Sequence, residues 1–200
     1  KIIENLLGKK RLPMLIIDQN PKGVSRYSYN ARIAAINGFS LFGKNITYLL
    51  DNKGQVDIEN LPFLENEYDF VFCSHVLEHL DCPGDAMREL MRVGTRGYIE
   101  IPTRMSDILF NFTFLENHHK WHGLVQNNTV ILTEWSDSER KKFSHNIFNA
   151  IHSDRENEMQ SFFDKNREIF FHSLVWTESF EFIVIDKKGK IIDSSNGVIT

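Results

Sequence analysis

The chain has 200 residues, 42% of them hydrophobic and 25% charged, so it is long enough to bury a core without disulfide support. A formal net charge of -4 argues against broad binding to nucleic acid, which requires a basic face. The two cysteines, Cys73 and Cys82, are too few for a disulfide framework, and no apolar run is long enough to span a membrane. We therefore expect one cytoplasmic domain over residues 1–200, with further chain upstream of Lys1 because no initiator methionine is present.

The N-terminal part contains two clear strands and one ambiguous segment. Lys1–Gly8 is either a first strand followed by a degenerate glycine-rich turn or a helix leading into the next strand. Pro13–Asp18 predicts the second strand, because it is apolar throughout and ends in a carboxylate. Alanines predict a helix over Tyr27–Ile36, and Asn45–Leu50 predicts the third strand.

The central stretch is predicted to be a β-α-β unit. Tyr68–Cys73 is a short apolar run typical of a strand buried on both faces of a parallel sheet. Gly94 and Gly97 are expected to end the helix that follows, and Gly97–Pro102 predicts the next strand. The helix itself is indicated by apolar residues at three- and four-residue spacing, namely Ala86, Met87, Leu90, Met91 and Val93.

Polar residues follow the central strand, where an open α/β sheet binds its ligands. In a helix beginning there, Ser74 and Glu78 form one i,i+4 pair and His75 and His79 form another. Ser74 is expected to cap that helix, and His75 to contact cofactor or substrate or to be a satisfied corner histidine. Two histidines and a glutamate also suit a metal or a general base, but we expect no metal here.

Residues 103–165 are expected to form an insertion or lid on the substrate side. Ser106–Phe114 predicts a helix, and HHKWH at 118–122 holds three histidines, a lysine and a tryptophan. This segment predicts either a pocket for a polar, ring-bearing or sugar-like substrate or a plain surface loop. Leu124–Leu132 predicts a hairpin around Asn127 and Asn128, and Ser136–Phe163 predicts a packing helix.

The C-terminal part predicts two further strands. Ile169–Thr177 and Ser179–Asp186 alternate large apolar and polar residues around Glu178, so we expect them to close the sheet as its sixth and seventh strands. Lys187–Thr200 is either a tail or a short terminal strand.

The run LPFLENEYDFVFCSHVLEHLDCPGDAMRELMRVGTRGYIEIP at 61–102 closely resembles the region of class I S-adenosylmethionine-dependent methyltransferases that contains the fourth strand, the next helix and the fifth strand. This resemblance covers about forty residues and is specific for the fold. It implies an α/β, Rossmann-like three-layer sandwich with a mostly parallel seven-stranded sheet whose last strand is antiparallel.

The resemblance also implies positions for the cofactor. Asp18 would accept hydrogen bonds from the ribose hydroxyls, although a turn aspartate is the alternative. Asp57 or the neighbouring backbone of Ile58 would contact the adenine amine, with Asp51 as a competitor and a plain turn residue as the alternative. If Lys1–Gly8 is a first strand with its glycine turn, Glu4 and Gly8 would lie at the cofactor. Ser74 and His75, at the corner after the fourth strand, would also contact the cofactor.

Two functions remain after these observations. A methyltransferase needs a base only for some acceptors, and the candidate bases or acceptor contacts are His75, His118, His119 and His122. The alternative is a binding or regulatory module that keeps the fold without the donor site, favoured by the glycine-poor start. A dehydrogenase is disfavoured because no G-x-G-x-x-G follows a strand. We expect S-adenosylmethionine as cofactor and a small-molecule or sugar-like acceptor.

Overall fold

A computed structural model describes residues 14–18, 33–37, 47–49, 58–110, 119–140 and 158–197. The described residues divide into two compact units. The first unit contains the described residues up to Val76, together with Asp85–Ile99 and Val175–Phe180. The second unit contains Leu77–Gly84, the described residues within Glu100–Leu174, and the described residues from Glu181 onward.

One sheet has six strands in the order β3-β2-β1-β4-β5-β8. Strand β1 lies between β2 and β4 and runs parallel to both, whereas β3 is antiparallel to β2. The predicted strand at Pro13–Asp18 is therefore confirmed, but it occupies the centre of the sheet and not the place of a second strand. The six strands are β1 Met14–Asp18, β2 Ile33–Asn37, β3 Thr47–Leu49, β4 Phe70–Ser74, β5 Arg96–Pro102 and β8 Phe171–Thr177.

The helix predicted over Tyr27–Ile36 is wrong at its C-terminal end, because Ile33–Asn37 forms strand β2. A short run such as IAAI reads equally well as helix or as a strand buried on both faces, and its pairing with β1 decides the outcome. Residues 27–32 lie outside the described part of the chain. Lys1–Gly8 also lies outside it.

The predicted β-α-β unit is confirmed. Helix α1 spans Pro83–Val93 and buries Ala86, Met87, Leu90 and Val93 completely. The helix ends before Gly94, and Gly97 lies inside β5, so Gly97 does not end it. A Cβ atom on Gly97 would lie 2.3 Å from the Val71 carbonyl oxygen and 2.8 Å from the Trp176 ring. Glycine is required there by this close approach, since Gly97 has no positive φ.

Strand β8 runs antiparallel to β5. At one end the Glu178 amide donates to the Thr95 carbonyl at 2.8 Å, and at the other the Thr103 amide donates to the Phe170 carbonyl at 2.9 Å. The end of β8 therefore lies beside the start of β5, and the start of β8 beside the end of β5, as in an antiparallel pair. The antiparallel edge strand of this sheet is therefore the predicted sixth strand and not the predicted seventh, and its first predicted residues belong to helix α5, Arg167–Phe170.

The second sheet has four strands in the order β10-β9-β7-β6. Strands β6 and β7 form the predicted hairpin around Asn127 and Asn128, and β9 pairs with β7 in parallel. The prediction of a single seven-stranded sheet is therefore wrong, as is the prediction that Ser179–Asp186 forms its seventh strand. The strands are β6 Trp121–Gln126, β7 Thr129–Glu134, β9 Glu181–Ile185 and β10 Ile191–Ser194, so a short C-terminal strand does form.

The remaining described helices lie within the second unit: α2 Arg104–Phe110, α3 Asp137–Arg140 and α4 Glu158–Lys165, with α5 as given above. Helix α2 confirms part of the helix predicted over Ser106–Phe114, whose last four residues lie outside the described part. No helix within the described residues has the length and apolar character that crossing a membrane requires.

Candidate functional site

The first unit brings two strand ends together. Asp18 ends β1 and pairs in register with Ser74, which ends β4. Because β2 lies on one side of β1 and β4 on the other, the sheet changes its winding direction between β1 and β4. The carboxyl ends of strands at such a switch point form the ligand-binding crevice of open α/β sheets.

The corner after β4 differs from the predicted helix. Ser74 belongs to β4, so it is not the cap of a helix, and His75 has a φ of 55° in the left-handed region. A single-turn 3-10 helix over Leu77–His79 follows. A non-glycine residue in this region interrupts any helical run and costs about 1–3 kcal/mol. The two predicted i,i+4 pairs are therefore wrong, and a strained His75 lies directly beyond the switch point.

The segment after Asp57 is held against helix α1. Arg92 donates to both carboxylate oxygens of Glu89 at 2.6 Å, and to the carbonyls of Leu61 at 2.8 Å and Phe63 at 2.7 Å. The Leu61 amide donates to Glu89 Oε2 at 2.6 Å. Burial favours the neutral form of Glu89, but these hydrogen bonds outweigh it and lower the pKa of the carboxyl. Ile58 is fully buried in this unit.

The second unit contains a buried cluster of two histidines and two carboxylates. Glu78 Oε1 lies 3.8 Å from His79 Nε2 and 4.0 Å from His119 Nε2. On the other side of the His119 ring, Nδ1 lies 2.7 Å from Asp107 Oδ1. Glu78 and Asp107 are fully buried, and His119 is 3% exposed. The cluster brings together residues that the sequence placed in three separate elements.

Backbone and side-chain hydrogen bonds hold the parts of this cluster in place. The Lys120 amide donates to the Glu78 carbonyl at 2.7 Å, and Trp121 Nε1 donates to the Leu80 carbonyl at 2.7 Å. The start of β6 is therefore fixed to the 3-10 turn that carries Glu78. Trp135 Nε1 donates to Asp107 Oδ2 at 3.1 Å, which engages the second oxygen of that carboxylate.

His122 lies outside this cluster. Its ring contacts Trp135 with centroids 4.6 Å apart, and Arg104 lies over the same tryptophan at 5.5 Å. Burial, together with the Arg104 charge, lowers the pKa of His122 to about 4, while the Glu139 charge opposes the shift. Glu139 itself forms an ion pair with Arg104. His122 is therefore a neutral imidazole at neutral pH.

The predicted site residues fall into three groups. Asp18, Ser74 and His75 meet at the switch point, whereas His119 and His122 lie in the second unit. Glu4, Gly8, Asp57 and His118 lie outside the described residues. Asp107 and Trp135 were not predicted as site residues, because Asp107 lies in a helix and Trp135 in a loop with no recognisable motif. The one available signal was that Asp107 is a carboxylate directly before the apolar residues Ile108, Leu109 and Phe110 of the same helix.

Comparison with known proteins gives one family. The methyltransferase domain family matches residues 24–99, just over a third of the chain. No curated protein matches the chain. The structure is similar to an S-adenosylmethionine-dependent methyltransferase from Aquifex aeolicus, with 18% identity over 50% of this chain and 61% of that one and a TM-score of 0.36.

Two further structures are similar to this chain. A candidate methyltransferase from Bacillus halodurans has 16% identity over 59% of this chain and 60% of its own, with a TM-score of 0.39. A complex of the Haloferax volcanii Trm112 methyltransferase activator with a candidate methyltransferase has 9% identity over 85% of this chain and 84% of that one, with a TM-score of 0.49. The chain thus spans about 60% of the length of the Aquifex and Bacillus proteins.

Proposed function

We propose that this chain, whose residues 24–99 match the methyltransferase domain family, binds S-adenosylmethionine and transfers its methyl group to a small-molecule or sugar-like acceptor. The observation that carries the proposal is the pairing of Asp18 with Ser74 at the ends of the two central parallel strands. These strand ends meet at the switch point of the sheet, where α/β folds bind nucleotide-like ligands.

The residues at this crevice suit an adenosine-containing ligand. At the end of the central strand β1, Asp18 supplies a carboxylate that accepts hydrogen bonds from the ligand, and Ser74 and His75 supply polar groups at the end of the neighbouring strand β4 and directly after it. The strain stored at His75 is of the kind found where the backbone is held around a ligand. The Glu89–Arg92 pair holds the segment beginning at Ile58, next to the proposed adenine contact of Asp57.

Bound S-adenosylmethionine would supply an activated sulfonium methyl group, so the protein has chiefly to orient an acceptor and, for a hydroxyl, to remove its proton. In the HHKWH segment, the His122 ring is neutral at neutral pH, and its pKa of about 4 makes it a weak base, so its role in this proposal is to contact the acceptor. Arg104 and Glu139 beside it offer hydrogen bonds of the kind that sugar hydroxyls make. His75 is the candidate base at the switch point.

Calorimetric titration of the full-length protein with S-adenosylmethionine and with its demethylated product tests the proposal. We expect saturable binding of both ligands with a stoichiometry near one, and no binding of NAD as a control. Incubation with methyl-labelled donor and a panel of nucleotide sugars and free sugars then tests for transfer.

The second candidate function is a binding module without the donor site. The sequence feature that favours it is the scarcity of glycine in the stretch Gln19–Arg26 that follows β1, where Gly23 is the one glycine. A turn rich in glycine lets backbone amides approach the cofactor closely. The absence of heat with either ligand would support the module and refute the methyltransferase.

A further inference from the structure

We propose that Glu78, His79 and His119 bind a divalent transition-metal ion of the zinc class. The proposal goes beyond methyl transfer and does not depend on it. Each residue offers one ligand atom, and these three atoms lie within 4.8 Å of one another. Two imidazole nitrogens with one carboxylate oxygen form a donor set that zinc uses in proteins.

The distances suit one shared ion. A tetrahedral zinc ion with bonds of about 2.0–2.2 Å holds its ligand atoms roughly 3.4 Å apart. Glu78 Oε1 lies 3.8 Å from His79 Nε2 and 4.0 Å from His119 Nε2. The two imidazole rings lie edge to face with centroids 4.8 Å apart, so they do not stack against each other. Closing the set around an ion therefore requires only small side-chain movements.

Asp107 gives His119 the orientation and tautomer of a metal ligand. The His119 Nδ1–H group donates to Asp107 Oδ1 at 2.7 Å, which leaves the lone pair on Nε2 and directs it toward Glu78. Carboxylate–histidine–metal triads of this type fix the ligand ring and raise its basicity. Trp135 Nε1 holds the other oxygen of Asp107, so the supporting shell extends one residue further.

The burial of the cluster also favours a cation. Glu78 and Asp107 are both fully buried, and the side chains of His79 and His119 are each 3% exposed. Buried carboxylates need nearby positive charge to offset their desolvation. One divalent ion balances both carboxylates while the two imidazoles stay neutral, as metal ligands must be.

The number of protein ligands predicts an exchangeable position. Zinc sites with three protein ligands keep a fourth position for water or a substrate atom, whereas structural sites are closed by four. The set lies between two rigid supports, the 3-10 turn at Leu77–His79 and the start of β6. The Lys120 amide bonded to the Glu78 carbonyl at 2.7 Å joins these supports.

Metal binding is tested on the full chain after removal of bound ions with a chelator and dialysis. Titration with Co²⁺ should produce visible absorption that saturates at one equivalent, and one equivalent of Zn²⁺ should abolish it. Zn²⁺ should also raise the thermal midpoint of the protein, since a ligand that binds only the folded state stabilises it. A chain that remains colourless with Co²⁺ and unshifted with Zn²⁺ would overturn the proposal.

Variants then locate the site. His119→Ala and Glu78→Gln should each lose the Co²⁺ absorption, and Asp107→Asn should weaken binding by about 10–100-fold through His119. His172→Ala is the matched control, because this histidine lies on β8 and not in the cluster. Equal binding by wild type and all the cluster variants would show an adventitious ion only and would also overturn the assignment.

X-ray absorption of the wild-type protein loaded with Zn²⁺ keeps the test decisive if a variant fails to fold. The expected first shell contains nitrogen and oxygen with the outer scattering of two imidazoles and no sulfur. A shell with sulfur, or with oxygen alone, would contradict the proposal. Metal binding and adenosyl ligand binding are measured separately, so the failure of one leaves the other standing.

Discussion

His119 Nδ1 lies 2.7 Å from Asp107 Oδ1, and both side chains are buried although they are 12 residues apart in the chain. Asp107 lies on helix α2, whereas His119 lies just before strand β6. The carboxylate also accepts a hydrogen bond from Trp135 Nε1 at 3.1 Å. Asp107 therefore joins a helix, the start of a strand and the loop after β7 through one buried charged group.

Asp107→Asn should destabilise the protein by about 1–3 kcal/mol, because the amide can accept only one of these two hydrogen bonds and presents an N–H group to the other donor. Urea unfolding followed by tryptophan fluorescence measures the change. Asp81→Asn is the control, since Asp81 is exposed and pairs only at the surface with Lys120. That variant should change stability by less than about 0.5 kcal/mol. Equal effects of the two substitutions would contradict the structural role of Asp107.

Asp18→Ala should weaken the binding of S-adenosylmethionine about tenfold or more, because a hydrogen bond to a charged acceptor contributes about 1.5–3 kcal/mol. Calorimetry on the variant gives the affinity, and far-UV circular dichroism checks that the sheet is intact. Asp85→Ala removes an exposed carboxylate from helix α1 and should leave the affinity unchanged. An unaltered affinity in Asp18→Ala would remove Asp18 from the site.

The central β-α-β unit could be predicted from sequence because its signals are local. Tyr68–Cys73 is continuously apolar, and the apolar residues of α1 recur at helical spacing and are buried. The same local reasoning failed at Ile33–Ile36, where alanines suggested a helix. Pairing with β1 and β3 makes that segment a strand, and strand pairing is a long-range property.

The second sheet could not be predicted for a related reason. Alternation in Ser179–Asp186 identifies a strand but not its partner, and β9 pairs in parallel with β7 and not with β8. The buried cluster has the same origin, since Glu78 and His119 meet only through the contacts between β6 and the 3-10 turn. The histidines of HHKWH could be identified as candidate site residues from sequence. That His119 lies in the buried cluster follows only from the tertiary structure.

Gly97→Ala should destabilise the protein by about 1–3 kcal/mol through overpacking, because the new methyl group would lie 2.3 Å from the Val71 carbonyl oxygen. The Val71 carbonyl belongs to the backbone and cannot rotate away as a side chain can. The Trp176 ring also lies against the position of the new methyl group. Gly189→Ala has open space around it but a φ of 82°, so it should cost only about 1 kcal/mol of backbone strain. Thermal unfolding ranks the two variants, and a smaller loss for Gly97→Ala would be inconsistent with this packing.

The stability of the second unit should depend on pH through His122. Its pKa in the folded protein is about 4, below the ordinary 6.5, chiefly because the ring is buried and secondarily because of the Arg104 charge. As the pH falls below about 6.5, the unfolded chain takes up a proton that the folded chain does not accept until about pH 4. The free energy of unfolding should therefore decrease by about 3 kcal/mol at most as the pH falls from about 6.5 to about 4. Above about pH 6.5, His122 should contribute no pH dependence.

His122→Gln isolates this contribution, because glutamine keeps a polar side chain of similar reach but does not titrate. Urea midpoints from pH 7.5 to 4 should fall more steeply for the wild type than for the variant. Other titrating groups, including His172, whose pKa burial also lowers, remain in both proteins and cancel in the difference. Parallel curves for the two proteins would show that the His122 ring is protonated with its ordinary pKa, and hence that it does not pack against Trp135 as a neutral group.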